Sequence, residues 1–295
     1  MSDRTVVRRR TFNQRHVSLT VALSTVGKRI ASFEQQVIDL KSQTRSDFEL
    51  LILLQNSNDL VASRLEEVLL KHAVHFQVSV VVSDTVGLLL SRNLALANAS
   101  APLVLLADDD CRYYESSCER VIEEADRNPE SEIMTFQAHS DQGCLLNPRN
   151  AISVTRQHSV RSIMSVCSVE IAVRASLRDR FPRLFDERFG LGTPFNTGGE
   201  NIMLLDNLKR GVRITQHPVV VVSHPAVSSG TGKNGLEQLA FAKGAMLKRM
   251  FGWKGGVLLL VFMLLKRISK EGPHFQLRHV RSGLEGCRKS PRVEK

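Results

Sequence analysis

The chain of 295 residues lacks the cysteine pattern of a disulfide-stabilised or zinc-binding domain. Its cysteines are odd in number, widely spaced and without any Cys-x-x-Cys pair; they are Cys111, Cys118, Cys144, Cys167 and Cys287. This spacing argues against a disulfide framework and a structural zinc site, and it fits a reducing compartment. No apolar segment follows the basic first ten residues, so we expect no cleaved secretory signal and a cytoplasmic location.

No apolar run reaches the length of about twenty residues that a helix needs to cross a bilayer. The run from Gly255 to Leu265 has eleven uncharged residues. Phe251 and Trp253 precede it, and Lys266 and Arg267 follow it. This arrangement suits a segment that lies at an anionic membrane surface, although a core helix or a subunit contact would have the same pattern.

An acidic balance is also absent, since 40 Lys and Arg against 30 Asp and Glu give a formal net charge of +10. The whole excess lies in residues 243–295, which hold thirteen Lys and Arg and three Glu. A neutral body argues against a nucleic-acid partner, and the basic tail indicates either an anionic surface or a solvated disordered segment. We expect a basic extension over 1–14, a main domain over 15–242 and a tail over 243–295 that meets a membrane or another subunit.

The first 110 residues alternate between apolar β-rich runs and helical spacing. The predicted strands there are 17–23, 49–54, 76–82 and 102–107, and later ones are 132–138, 151–155, 167–173 and 218–225. Ile30, Phe33, Val37 and Leu40 keep helical spacing between the first two. Near-continuous apolar strands separated by helices predict an α/β fold with a mostly parallel sheet covered on both faces.

The triplet Asp108, Asp109 and Asp110 follows a predicted buried strand. Ligands of open parallel sheets gather beyond the carboxyl ends of the strands, so the triplet stands where a ligand would bind. Adjacent carboxylates suit Mg²⁺ or Mn²⁺, which take oxygen ligands and share them with substrate phosphates. A solvated acidic turn is the alternative.

The stretch "GLLLSRNLALANASAPLVLLADDD" resembles the family 2 glycosyltransferases of the GT-A fold, in which a Gly-x-x-x-Ala-Arg-Asn helix precedes an Asp-x-Asp motif. The matching residues are Gly87, Arg92, Asn93, Asp108 and Asp110. The resemblance implies that Asp110 ligates a metal at the donor diphosphate and that Asp108 touches the ribose or the metal shell. It also implies that Arg92, with Asn93 and Asp109, helps to bind the nucleotide.

A second block, "FDERFGLGTPFNTGGEN", is similar to the Phe-Asp-Glu-x-Phe-Gly-x-Gly loop and Gly-Glu-Glu-Asn helix start of one bacterial branch of that family. Glu200 matches the catalytic base, and Gly199 replaces the preceding carboxylate. A carboxylate at a helix N-terminus is favoured in its ionised form, as a base requires, although an ordinary capping acid would also stand there. Gly211 is the expected left-handed end of this helix.

Three further assignments follow from the resemblance. His224, at the end of the last predicted strand, matches a histidine that many GT-A enzymes bring to the metal or diphosphate, and His217 is a nearby rival. Ser24 and Thr25 would line the nucleobase pocket. Gln55 or Asn56 would bond a pyrimidine edge through an amide.

The resemblance, together with the acidic triplet, implies an inverting glycosyltransferase that uses Mn²⁺ or Mg²⁺. The donor is expected to be a nucleotide sugar of the UDP type and the acceptor a glycan or lipid-linked hydroxyl, in bacterial surface polysaccharide synthesis at the inner face of the plasma membrane. A catalytically silent nucleotide-sugar-binding or scaffold protein of the same fold is the alternative. A nucleotidyltransferase has less support, because no Gly-rich loop with Lys or Arg follows the first strand to hold a triphosphate.

Overall fold

The computed structural model describes residues 6–56, 59–225, 235–268 and 277–291. Residues 1–5 of the predicted extension, and 269–276 and 292–295 of the predicted tail, lie outside that description. The chain divides into two compact units. The first comprises Met1–Val86, Leu90–Leu184 and Asn207–Ala226, and the second comprises Gly87–Leu89, Phe185–Asp206 and Val227–Lys295.

A ten-stranded sheet forms the framework of the first unit as far as the structure describes it. Its strands are β1 (Val6–Phe12), β2 (Leu19–Thr25), β3 (Phe48–Gln55), β4 (Gln77–Ser83), β5 (Leu103–Asp108), β6 (Arg112–Tyr113), β7 (Ile133–His139), β8 (Arg156–Gln157), β9 (Ile171–Arg174) and β10 (Ile214–Ser223). The order is β1-β4-β3-β2-β5-β9-β7-β10-β6, and β8 pairs with β10.

The sheet is mostly parallel, which confirms the predicted fold class. Strands β4, β3, β2 and β5 run parallel to one another, and β7 runs parallel to β10. The antiparallel strands are β1, β6, β8 and β9. β3 is buried along its whole length, as expected for an apolar strand in the middle of a covered sheet.

Helices in the described residues alternate with the strands and then dominate the C-terminal part. They are α1 (Ile30–Lys41), α2 (Asp59–Lys71), α3 (Leu88–Asn98), α4 (Ser117–Arg127), α5 (Leu177–Arg180), α6 (Gly199–Lys209), α7 (Gly235–Phe251), α8 (Lys254–Ile268) and α9 (Leu277–Lys289). The helical spacing of Phe33, Val37 and Leu40 is confirmed, since all three are buried on α1.

One predicted strand is wrong. Residues 151–155 form no strand, and the chain pairs only through the two residues of β8. Val154 is 68% exposed, so the apolar residues of this segment do not reach the core. The predicted strand 167–173 is also shorter: a 3₁₀ turn at Ser168–Glu170 precedes β9, because the Glu170 carboxylate accepts a hydrogen bond from the backbone N–H of Cys167.

Close packing of α7 against α9 characterises the second unit. A Cβ added at Gly244 would overlap the carbonyl oxygen of Gly283, and one at Gly286 would overlap that of Phe241. The Oγ of Ser282 donates a hydrogen bond to the carbonyl of Glu237 across the same pair. Both glycines are therefore required for the distance between these helices.

Candidate functional site

The acidic triplet, Asp108–Asp110, lies at the carboxyl end of β5, where the sequence predicted it. Ser24 of β2 is in register with Asp108, so the ends of these parallel strands meet at one edge of the sheet. The turn is held by the amide of Gln36, which donates to the backbone carbonyl of Asp108 at 3.0 Å. The strand direction therefore delivers all three carboxylates to the edge at which an open sheet binds ligands.

Two of the three carboxylates have both oxygens engaged. Asp108 accepts from the guanidinium of Arg92 at 3.0 Å and from the hydroxyl of Ser168 at 3.2 Å. Asp109 accepts from Arg29 at 2.9 Å and from the hydroxyl of Thr25 at 2.8 Å. Both side chains are thereby held in fixed orientations.

Asp110 differs, because one of its oxygens accepts no hydrogen bond. Its Oδ2 pairs with Arg29 at 2.5 Å. Its Oδ1 is buried and accepts no hydrogen bond of good geometry, and it lies at an ion-pair distance of 3.1 Å from Nε2 of His224. A buried carboxylate oxygen close to an imidazole nitrogen is an arrangement that two ligands of one cation can adopt.

The electrostatics favour the charged form of each member of this pair. Burial opposes ionisation of Asp110, but His224 and Arg29 outweigh it and lower the pKa of the carboxyl. Burial likewise opposes the charge on His224, and Asp110 outweighs it and raises the pKa of the imidazole. The positive charges of Arg29, Arg92 and His224 thus offset the repulsion within the acidic triplet.

Among the residues that the structure describes, no three His, Cys, Asp or Glu side chains converge as a complete metal-ligand set. Asp110 and His224 bring a carboxylate oxygen and an imidazole nitrogen within 3.1 Å of each other, and Asp108 lies two residues before Asp110. Mg²⁺ and Mn²⁺ usually keep several waters and share oxygens with a substrate phosphate. The donor set is therefore of the kind that holds a cation together with a phosphorylated ligand.

The residues predicted to bind the nucleobase lie at the same sheet edge. Ser24 accepts a hydrogen bond from Ser91, and Thr25 is the donor to Asp109 described above. Gln55 ends β3 and is buried, and the exposed Asn56 follows with a positive φ of 43°. The backbone N–H of Asn56 bonds to the carbonyl of Ser83, which ties the ends of β3 and β4 together.

Arg92 and Asn93 are buried on α3. Arg92 is only 1% exposed, and its contact with Asp108 orients a carboxylate of the acidic triplet. Sequence reasoning missed two other contributors, Arg29 and Ser168. Arg29 could have been found, because it is a basic residue in the loop after the first predicted strand, whereas no pattern marks Ser168.

His217, the rival of His224, is fully buried and takes no part in the acidic triplet's contacts. Its ring bonds to Thr215 at 2.8 Å and to the carboxylate of Glu124 at 2.7 Å. It also stacks on Phe136. These contacts give His217 a place in the core of the first unit.

Glu200 lies in the second unit, in the first turn of α6, as the sequence predicted. The departure at Gly199 has a steric reason, since an added Cβ there would overlap Leu89. The helix ends as expected, with Gly211 at a φ of 78°. Ile202, Leu204 and Leu205 are buried and Leu208 is half-buried.

A second carboxylate cluster in this unit is closed by arginines. Asp186 accepts hydrogen bonds from Arg188 at both oxygens and from Nε of Arg249 at 2.9 Å. Arg249 also binds both oxygens of Asp206. Burial raises the pKa of Asp186, but the two arginines outweigh it and lower the pKa overall.

Comparisons with known proteins bear on this arrangement. The family model "Glycosyl transferase family 2" matches residues 24–181. The comparison with curated proteins finds no match. Among solved structures, S. aureus TarS 1-349 in complex with UDP-GlcNAc is similar with a TM-score of 0.65 and 13% identity, over 92% of this chain and 79% of that one.

Two further structures are similar. S. aureus TarS 1-349 in complex with UDP has a TM-score of 0.61 and 15% identity, over 88% of this chain and 75% of that one. The mannosyltransferase PcManGT from Pyrobaculum calidifontis, in complex with GDP-Man and Mn²⁺, has a TM-score of 0.57 and 13% identity, over 94% of this chain and 88% of that one. At these identities the similarity concerns the fold.

Proposed function

The chain belongs to glycosyl transferase family 2 and has a GT-A fold, and on that premise we propose that it transfers a sugar from a nucleoside diphosphate donor to an acceptor hydroxyl with inversion at the anomeric carbon. The observation that carries the proposal is Oδ1 of Asp110, a buried carboxylate oxygen that faces His224 and accepts no hydrogen bond. An oxygen in that state is suited to a cation that arrives with its ligand.

Asp110 and His224 would hold Mn²⁺ or Mg²⁺, with Asp108 contributing to the metal shell or the ribose. A divalent cation at this position supplies charge neutralisation on the leaving diphosphate. Arg29 keeps Asp109 and Asp110 together through one guanidinium nitrogen, so the acidic triplet is oriented before the donor binds. This preorganisation reduces the cost of assembling the site.

We assign the nucleobase to Ser24, Thr25, Gln55 and Asn56. The structures similar to this chain were obtained with UDP, UDP-GlcNAc and GDP-Man. A UDP-sugar is our choice of donor, because the amide groups of Gln55 and Asn56 offer both a donor and an acceptor to a pyrimidine edge.

Glu200 is proposed as the base that removes the proton from the acceptor hydroxyl. Its place in the first turn of α6 stabilises the carboxylate form. Asp186 is poorly suited to that role, because both of its oxygens are bound by arginine side chains.

A panel of UDP-sugars and GDP-sugars tests the proposal. After treatment with EDTA, we expect release of the nucleoside diphosphate only when Mn²⁺ or Mg²⁺ is restored. Glu200→Gln should bind the donor normally and lower transfer by roughly 10² to 10⁴. The matched Glu237→Gln, at a half-exposed glutamate of α7, should transfer like the wild type.

The other readings give different results in the same assay. Pyrophosphate release would indicate a nucleotidyltransferase. Donor binding without release from any sugar nucleotide would favour the silent binding or scaffold protein. Full activity of Glu200→Gln would remove Glu200 from the mechanism while leaving donor chemistry intact.

We further propose that α8 lies at an anionic membrane surface, consistent with an acceptor carried on a lipid in bacterial surface polysaccharide synthesis at the inner face of the plasma membrane. Val257, Leu260 and Val261 recur at helical spacing on α8 and are exposed, and Trp253 before the helix is 75% exposed. The tail is also the basic part of the chain. In the described ranges, every helix is too short or too polar to span a bilayer.

Vesicle sedimentation tests this surface. We expect the full chain to sediment with vesicles of phosphatidylglycerol and phosphatidylcholine, and less so at high salt. Leu260→Ser with Val261→Ser should abolish sedimentation, whereas Leu70→Ser with Val154→Ser, at exposed apolar residues of the first unit, should not. Dimerisation that the first variant alone disrupts, without vesicle binding, would assign α8 to a subunit contact.

A further inference from the structure

The first unit contains a half-open cavity that the assignments above leave unused. Its volume is about 890 Å³, which is within the range of pockets that bind small molecules. It is lined by Arg156, Ser159, Arg161, Ser162, Met164 and Ser165. We call it the arginine–serine cavity.

Among the described residues, neither arginine of the arginine–serine cavity is in an ion pair. Nε of Arg156 donates to the side-chain oxygen of Gln216 at 3.0 Å. Within the described part of the chain, neither Arg156 nor Arg161 forms an ion pair with a carboxylate. Arg29, Arg92 and Arg112 of the same unit each do. The cavity thus concentrates positive charge that the protein itself does not neutralise.

The positive charge of Arg156 also affects the nearby His158. It is buried, and its pKa is lowered to about 4, first by burial and then by the positive charges of Arg156 and His217. Its Nδ1 lies 2.9 Å from the hydroxyl of Ser162, and its Nε2 lies 2.7 Å from that of Thr135. A neutral imidazole therefore anchors one serine of the cavity wall.

Ser165, another serine of the cavity wall, is connected to residues near the acidic triplet. The hydroxyl of Ser165 donates to the side-chain oxygen of Asn150, whose amide donates to Glu170 at 3.0 Å. Glu170 ends the 3₁₀ turn that begins at Ser168, and Ser168 bonds to Asp108. Hydrogen bonds, together with the backbone of this 3₁₀ turn, thus connect the cavity wall to the proposed donor site within one unit.

We propose that the arginine–serine cavity binds a phosphate ester carried by the acceptor. The guanidinium groups of Arg156 and Arg161 supply the charge and the several N–H donors that the three oxygens of a phosphate accept. The cavity is far larger than a phosphate group, so the sugar or polyol attached to the phosphate occupies the remaining volume beside Met164. This inference rests on the proposed transferase function and specifies the class of its acceptor.

Calorimetry with sn-glycerol 3-phosphate as the probe tests the cavity. Saturating UDP and Mn²⁺ keep the probe out of the proposed diphosphate site. We expect the double variant Arg156→Gln and Arg161→Gln to bind the probe about tenfold or more weakly. The matched double variant Arg64→Gln and Arg183→Gln removes the same charge at exposed arginines and should bind like the wild type.

Each contrary result has a defined meaning. No binding of the probe to wild type, or equal affinity for both double variants, overturns the proposal. Glucuronate bound as tightly as the phosphate ester would also overturn it, because the cavity would then select carboxylates equally. Melting temperatures of the two double variants establish that a weaker affinity is not a loss of folding.

Failure of the transferase function gives a separate signature. If UDP does not bind, or no donor releases its nucleoside diphosphate, the proposed function fails whether or not the phosphate ester binds. If donor hydrolysis is normal in the Arg156→Gln and Arg161→Gln variant and only probe binding falls, the cavity serves the acceptor. Loss of both donor hydrolysis and UDP affinity in that variant contradicts a separate acceptor site.

Discussion

The acidic triplet of the first unit and the cluster around Asp186 and Asp206 in the second are both carboxylates facing arginines, yet they are saturated differently. In the second cluster, Arg188 and Arg249 bind every carboxylate oxygen. In the triplet, Oδ1 of Asp110 is left without a hydrogen bond. The difference supports the proposal that the acidic triplet binds a ligand, whereas the second cluster stabilises the fold.

Whether every carboxylate oxygen has a hydrogen-bond donor decides what a substitution in each cluster should cost. A closed ion-pair cluster loses much stability when one partner is removed, because buried charges are left uncompensated. An open cluster keeps its remaining pairs and loses ligand affinity instead. Stability and binding measurements on matched variants should therefore separate the two.

The largest expected effect is on the stability of the closed cluster. Arg249→Met removes a side chain that bridges Asp186 and Asp206. Since the Arg249 side chain is 10% exposed and that of Asp186 8%, the cost should be about 4 kcal/mol of unfolding free energy. Urea denaturation measures it.

Arg278→Met is the control for that variant. Arg278 pairs with Glu237 on the surface, where both side chains are well exposed. Its loss should change the unfolding free energy by about 0.5 kcal/mol or less. Similar values for Arg249→Met and Arg278→Met would show that saturation does not mark a structural cluster.

The sequence identifies the acidic triplet, the open cluster, better than the closed cluster around Asp186 and Asp206. Strand–helix alternation fixes the sheet edge, and the run of three aspartates after β5 marks the ligand position without any knowledge of contacts. The closed cluster joins Asp186, Asp206 and Arg249 across 63 and 43 residues of sequence, and no local pattern predicts such pairing.

Other failures of the sequence analysis have a common cause. Residues 151–155 have the alternation of a strand, but the chain there stays outside the sheet, so pattern alone gave the wrong answer. Ser168 contacts Asp108 from a 3₁₀ turn that precedes β9. Both features depend on long-range packing that residue spacing does not encode.

A second prediction concerns what keeps a buried carboxylate ionised. In the described part of the chain no cation pairs with Glu170, and burial raises its pKa to about 7 despite hydrogen bonds from Cys167 and Asn150. Between pH 4.5, the ordinary pKa, and about pH 7, the folded state keeps a proton on Glu170 that the unfolded state has released. The unfolding free energy of the wild type should therefore fall as the pH rises through this range. Relative to Glu170→Gln, the wild type should lose about 3 kcal/mol of unfolding free energy over this range. Urea denaturation at pH values from 4.5 to 8 measures the loss.

Glu49→Gln is the control with the opposite sign. Burial also raises the pKa of Glu49, but hydrogen bonds from Ser79, Ser100, Thr20 and Gln77 outweigh it and lower the pKa overall. Its stabilisation is present above pH 4.5 and is lost as pH falls. Each substitution also alters hydrogen bonds, but that effect shifts the unfolding free energy equally at every pH and leaves its slope unchanged. If the unfolding free energies of the two variants, relative to wild type, changed with pH in the same direction, this account of the two glutamates would be wrong.

The smallest and most specific effect distinguishes neighbours within the acidic triplet. The two carboxylate oxygens of Asp109 accept hydrogen bonds from Arg29 and Thr25. In Asp110, one oxygen accepts a hydrogen bond from Arg29 and the other accepts none. Asp110→Ala should therefore lose the part of the UDP affinity that depends on Mn²⁺, a change of about tenfold or more. Asp109→Ala should keep most of that dependence, because its carboxylate already has its donors.

Calorimetry of UDP binding with Mn²⁺ and with EDTA gives the comparison directly. Arg29 retains Asp109 when Asp110 is removed, and His224 can release its proton, so Asp110→Ala should change the unfolding free energy by about 1 kcal/mol or less. Equal losses of Mn²⁺ dependence in Asp109→Ala and Asp110→Ala would mean that the oxygen without a hydrogen bond does not mark the metal ligand. A large loss of stability in Asp110→Ala without a change in Mn²⁺ dependence would place the acidic triplet with the closed cluster, as a structural element.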